Sequence, residues 1–122
     1  MRKMKILIVD DSKAMRMIVR RQLNEIELEE SEFLEAANGA EGLNVIKEQL
    51  PDLVLSDWNM PEMNGIEMLE ALHAEGIDVK FGFVTSESQE SYKERALDAG
   101  AMFVIAKPFN AETFKRALGQ FV

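Results

Sequence analysis

Two apolar runs in this 122-residue chain stop at carboxylates: residues 5–9 at Asp10 and Asp11, and residues 53–56 at Asp57. A third run, 79–84, gives way to the hydroxyls of Thr85 and Ser86, and a fourth, 102–106, to Lys107 and Pro108. Three carboxylates brought together repel one another and need a compensating cation. Lys107 supplies one positive charge, and a divalent ion supplies more. Oxygen donors favour a hard ion, and Mg²⁺ typically binds one or two carboxylates, keeps waters and takes a phosphate oxygen. Asp10, Asp11 and Asp57 suit it, and the backbone carbonyl of Asn59 can complete the shell. An ionised aspartate can also act as a nucleophile and form an aspartyl-phosphate. Phosphoryl transfer asks mainly for positioning and charge neutralisation. The metal can hold one phosphoryl oxygen, Lys107 a second, and the Thr85 hydroxyl with a backbone N–H a third. No general base is required, and the only histidine is His73.

These groups meet only if the elements carrying them run side by side. Between the apolar runs lie segments with helical spacing. Met15, Ile18, Val19, Gln22, Leu23 and Ile26 form one stripe, with Asp11 or Ser12 as its cap. Leu43, Ile46 and Leu50 mark a second helix ending at Pro51, and Ile66, Leu69 and Leu72 a third, opened by Asn64-Gly65. Residues 88–99 and 110–121 complete five helices, the last with Phe114 and Leu118 on one face. Residues 33–37 are a weaker strand, interrupted by Glu35. The pattern is (βα)₅: an α/β chain with a five-stranded parallel sheet covered on both faces. Right-handed crossovers leave few topologies. In such sheets ligands sit beyond the carboxyl ends of the strands, which is where Asp10, Asp11, Asp57, Thr85 and Lys107 stand.

Bulk properties narrow the classes. The length fits one domain, expected over residues 1–122 with no output domain after the fifth helix. A net charge of -8 argues against nonspecific nucleic-acid binding and against anchoring on an anionic membrane. The absence of cysteine excludes disulfides and thiolate chemistry and agrees with a cytoplasmic protein. The four apolar residues 6–9 are too short for a signal peptide or a membrane span. The acidic stretch 25–35 is a solvated surface.

The segments VDDS at 9–12, SDWNMPEMNG at 56–65, FVTS at 83–86, AGA at 99–101 and AKPF at 106–109, in order and at matching spacing, resemble the response-regulator receiver family over the whole chain. The resemblance implies a doubly wound, flavodoxin-like sheet of order 2-1-3-4-5. It implies that Asp10 and Asp11 are the family's acidic pair, Asp57 its phosphorylation site and Asn59 the donor of a carbonyl to Mg²⁺. It also implies that Thr85 is the switch hydroxyl, Lys107 the family's lysine, and the Lys107–Pro108 bond typically cis. The implied partners are a sensor histidine kinase or phosphotransfer protein upstream and a protein target downstream. That target would bind the face made by the fourth helix, fifth strand and fifth helix, in two-component signalling. Residues 57–65 most resemble the single-domain chemotaxis regulators. One position departs: the family usually has Tyr or Phe three residues before the lysine, and here that residue is Val104. Phe103 is adjacent, but one residue of offset turns it to the opposite face.

Simpler readings compete. Asp10 and Asp11 can cap a helix, Asp57 can serve a turn before Pro61, Thr85 can be the N-cap of the fourth helix, and Lys107 can be a loop charge. Trp58 reads as a loop residue beside the site rather than a ligand, and His73 as structural or solvent-facing. Tyr92, Phe103 and the fourth helix form either a binding surface or ordinary packing. An aspartate-nucleophile phosphatase would place a D-x-D nucleophile after the first strand, where this chain has adjacent Asp10-Asp11 and then Ser12. A flavodoxin-like carrier would need a phosphate cradle there, which two aspartates repel. A receiver-like binding module acting without phosphorylation is the remaining alternative.

Overall fold

A computed structural model describes residues 4–28, 31–87 and 89–119. Five strands alternate with five helices. They are β1 (Lys5–Val9), α1 (Lys13–Leu23), β2 (Glu32–Ala36), α2 (Gly39–Gln49), β3 (Leu53–Ser56), α3 (Gly65–Ala74), β4 (Lys80–Thr85), α4 (Glu90–Asp98), β5 (Phe103–Ala106) and α5 (Ala111–Leu118). The strands form one sheet of order β2-β1-β3-β4-β5, every pair parallel. This is the doubly wound, flavodoxin-like arrangement expected.

Burial explains why the strand signals differ in strength. In β1 and β3, which lie inside the sheet, all residues but Lys5 are buried, so they read as unbroken apolar runs. β2 is an edge strand, and its Glu32 and Glu35 are exposed there. Alternate residues feed two cores. Leu7, Val9, Val54, Phe81 and Phe83 pack with Ile46 of α2, Ile66, Leu69 and Leu72 of α3, and Ala96 of α4. Ile6, Ile8, Leu53, Leu55 and Val84 pack with Val19 and Leu23 of α1 and Phe114 and Leu118 of α5.

Several boundaries differ from expectation. β2 occupies 32–36 rather than 33–37, because its ladder runs from Lys5↔Glu32 to Val9↔Ala36. β4 is shifted from 79–84 to 80–85, so Thr85 is its last residue, paired with Ala106 and fully buried. β5 begins at Phe103, not Met102. α4 begins at Glu90, and Ser88 lies outside the described residues. Asn110 is the N-cap of α5 rather than its first residue, and residues 120–122 lie outside the description. On α1 the cap is Ser12, whose hydroxyl accepts from the Met15 N–H. Ile18 does not join the buried stripe: it is exposed, and Val19 and Leu23 carry the contact. Asn24–Leu28 prolong α1 as a π-helical turn.

Candidate functional site

The carboxyl ends of β1 and β3 are adjacent because β1 pairs with β3, Val9 opposite Ser56. Asp10 and Asp57 therefore leave the sheet side by side. The backbone fixes both. Asp10 N–H donates to Ala36 O at 3.1 Å, and Asp57 N–H donates to Val9 O at 2.9 Å. β5 brings in Lys107, whose N–H donates to Thr85 O at 2.9 Å. The Lys107–Pro108 peptide bond is cis. Lys107 Nζ lies 3.3 Å from Asp10 Oδ2 and 3.2 Å from Asp57 Oδ2, bridging the two carboxylates. Asp11 is exposed at the rim. One carboxylate oxygen each from Asp10, Asp11 and Asp57 lie within 4.8 Å of one another, a hard-donor cluster able to hold a divalent cation.

Buried Asp10 and half-buried Asp57 each also take a backbone N–H. Asp10 Oδ1 accepts from Ser12 at 2.9 Å, and Asp57 Oδ1 accepts from Trp58 at 2.7 Å. Burial nevertheless pushes the Asp10 carboxyl above its ordinary range, and the Asp57 charge adds to the rise. The Ser12 N–H and the Lys107 ammonium oppose it without cancelling it. Thr85 sits at the same rim with its Oγ1 accepting from the Glu87 N–H at 3.1 Å. It does not cap α4, whose N-cap is Gln89. Asn59 lies on the loop after Asp57, and its side-chain amide donates to Glu87 at 2.8 Å, joining that loop to the one after β4.

The loop from Asp57 to α3 is pinned at both ends. Ser56 Oγ donates to Asp57 O at 2.8 Å, and Gly65 N–H donates to Trp58 O at 2.8 Å. A Cβ on Gly65 would sit 2.3 Å from Asp57 O, so only glycine lets α3 start this close to the Asp57 backbone. Asn64 caps α3 with a reciprocal bond to Glu67.

Some contributors escaped the sequence reading. Arg16, one turn into α1, donates to Asp10 O at 2.6 Å and pairs with Glu35 at 2.7 Å. Its spacing of six residues from Asp10 was the available signal. Trp58 is a loop residue beside the site, as expected, but it is only 3% exposed and its side chain packs in the core between the sheet and α2–α4. His73 is exposed, with its ring packed over Gly100.

A parallel five-stranded α/β fold with an acidic cluster and a lysine at the carboxyl ends of its strands defines a class, and the wider comparisons agree with it. The response regulator receiver domain family matches residues 6–119, and the chain belongs to that family. It is 37% identical to a chemotaxis protein CheY homolog of Campylobacter jejuni over 118 residues, 94% of this chain and 89% of the relative. It is 35% identical to a probable chemotaxis protein CheY of Rhizobium etli, covering 95% of this chain and 90% of that one. The structure of Vibrio cholerae chemotaxis protein CheY4 superposes with a TM-score of 0.85 at 30% identity, covering 99% of this chain and all of the other. No helix among the described residues is long and apolar enough to cross a membrane.

Proposed function

We propose that this receiver domain accepts a phosphoryl group on Asp57 and converts that event into a change of protein binding. The observation that carries the reading is the Asp57 carboxylate itself. One oxygen is held by the Trp58 N–H, the other lies 3.2 Å from Lys107 Nζ, and two further carboxylates stand alongside.

An Asp57 oxygen attacks the phosphorus of a phosphohistidine on a sensor histidine kinase or phosphotransfer protein. The O–P bond forms as the P–N bond breaks, and the imidazole leaves with the electron pair. Water later attacks phosphorus and returns the carboxylate and inorganic phosphate. The chain thus catalyses its own phosphorylation and dephosphorylation and turns over no other substrate. Lys107 neutralises one phosphoryl oxygen, and the buried Thr85 hydroxyl donates to another. The all-oxygen cluster suits Mg²⁺, held by Asp10, Asp11, Asp57 and the carbonyl of Asn59; the ion would neutralise and orient the phosphoryl oxygens. The output is a protein target, in chemotaxis by analogy with the named relatives, docking on α4, β5 and α5. Exposed Leu97 on α4 supports that face. The setting is the cytoplasm, where a kinase would supply the phosphoryl group.

The test is intact mass after addition of Mg²⁺ and a small acyl phosphodonor, with Trp58 emission followed in parallel. One phosphoryl mass is expected in wild type and none in Asp57→Asn or without Mg²⁺. Phosphoryl mass retained in Asp57→Asn overturns the site. No mass gain in wild type favours a binding module that works without phosphate.

A further inference from the structure

Trp58 joins two parts of the molecule. Its backbone belongs to the acceptor site: its N–H is on Asp57 Oδ1 at 2.7 Å, and its carbonyl holds the start of α3 through Gly65. Its ring belongs to α4. The ring lies 4.8 Å from Phe83 of β4 and meets Tyr92 edge-on at 5.0 Å, and the guanidinium of Arg95, three residues further along α4, lies 6.0 Å from its centroid. Edge-to-face pairs have a preferred geometry, so displacing one ring displaces the other.

α4 is built to follow such a displacement at one end only. Ala96 is its single buried residue, and its N-cap Gln89 makes no side-chain capping bond. Its C-terminal end is fixed. Ala101 N–H bonds back to Ala96 O at 2.9 Å, Gly100 turns with φ +108°, and the His73 ring of α3 covers Gly100. Tyr92 lies in the free half. β5 offers no aromatic alternative on this face. The residue there is Val104, while Phe103 packs in the opposite core with its ring across Gly82.

We infer that the Trp58–Tyr92 ring pair transmits the state of Asp57 to α4, with Tyr92 as the positioning residue and the C-terminal end of α4 as the pivot. The inference rests on the phosphoacceptor reading. Converting the carboxylate to an acyl phosphate replaces a charged acceptor of the Trp58 N–H by a weaker one. Trp58 then shifts against Tyr92, and the first turns of α4 move. By reciprocity, a partner that holds Tyr92 changes how favourably Asp57 is phosphorylated.

The experiment uses the whole chain as wild type, Tyr92→Phe and Tyr92→Leu, with Mg²⁺ and a small acyl phosphodonor. Intact mass reports acceptance, and hydrogen exchange of the residue 90–98 amides reports α4. Leucine keeps apolar bulk and helix propensity but removes the ring, and exchange before phosphodonor addition verifies that α4 stays folded. All three proteins are expected to gain the same phosphoryl mass. Exchange in α4 should change by about fivefold or more in wild type and Tyr92→Phe, and hardly at all in Tyr92→Leu. An equal α4 response in Tyr92→Leu overturns the inference while leaving the acceptor reading intact. Absence of phosphoryl mass in wild type overturns that reading and the inference with it.

Discussion

α3 and α4 flank the same rim and are held in opposite ways. α3 buries Gly65, Ile66, Met68, Leu69 and Leu72, carries a full capping box, and starts against the backbone of Asp57. α4 buries only Ala96 and has no side-chain cap. On the proposed function, with Asp57 as phosphoacceptor and α4 as its reporter, the difference is a division of labour. A phosphoacceptor must stay in place while charge changes around it, so the element behind it is locked. An element that reports the change must have neighbouring states close in free energy, so it is drawn from the weakly held part of the fold.

The most severe way to break this contrast is to add a methyl group at Gly65. Gly65→Ala places carbon 2.3 Å from Asp57 O, which is backbone and has little room to yield. Overpacking of this kind costs about 1–3 kcal/mol. The expected result is a lower denaturation midpoint together with reduced phosphoryl uptake at fixed Mg²⁺, since Asp57 must move. Unchanged stability and uptake would show that α3 is not the locked support described.

A paired substitution sharpens the contrast. Asn64→Ala removes the α3 cap and should cost about 1 kcal/mol. Gln89→Ala removes a residue that makes no capping bond on α4 and should cost close to nothing. Urea unfolding of the two variants measures the difference, and equal losses would erase it.

The smallest effect concerns the rim that both helices share. The Asp10 carboxyl is raised above its unfolded value chiefly by burial. The folded protein therefore binds this proton more tightly than the unfolded chain. Stability falls as pH rises from the unfolded carboxylate value through the folded one, and the cost is complete above it. Asp10→Asn keeps an oxygen for the Ser12 N–H and removes the buried charge. In metal-free buffer it should unfold at a higher urea midpoint than wild type at pH 7, with the gain vanishing below pH about 4. The same variant should lose Mg²⁺-dependent phosphoryl uptake, a trade of stability for function.

Much of the architecture was legible in one dimension. β1 and β3 were readable because strands buried on both faces must be apolar throughout, and Asn64-Gly65 marked α3 through its capping chemistry. The interrupted run around Glu35 marked β2 only weakly, because an edge strand leaves some of its side chains in water. Ile18 was misplaced because helical spacing selects a stripe but not its centre. Met15, Val19 and Leu23 follow one line, and Ile18 falls outside it.

The sequence by itself determined which chemistry was available and in what order. Asp10, Asp11, Asp57, Thr85 and Lys107 each end a strand, and covalent order together with the handedness of crossovers puts such ends on one edge. Only the tertiary structure decided that Lys107 bridges Asp10 and Asp57, that Arg16 holds the Asp10 carbonyl, and that the Trp58 ring enters the core to meet Tyr92. Periodicity specifies the face of a single element. Distances between elements depend on strand register and on how side chains from distant positions share the space between sheet and helix, and no local pattern encodes those.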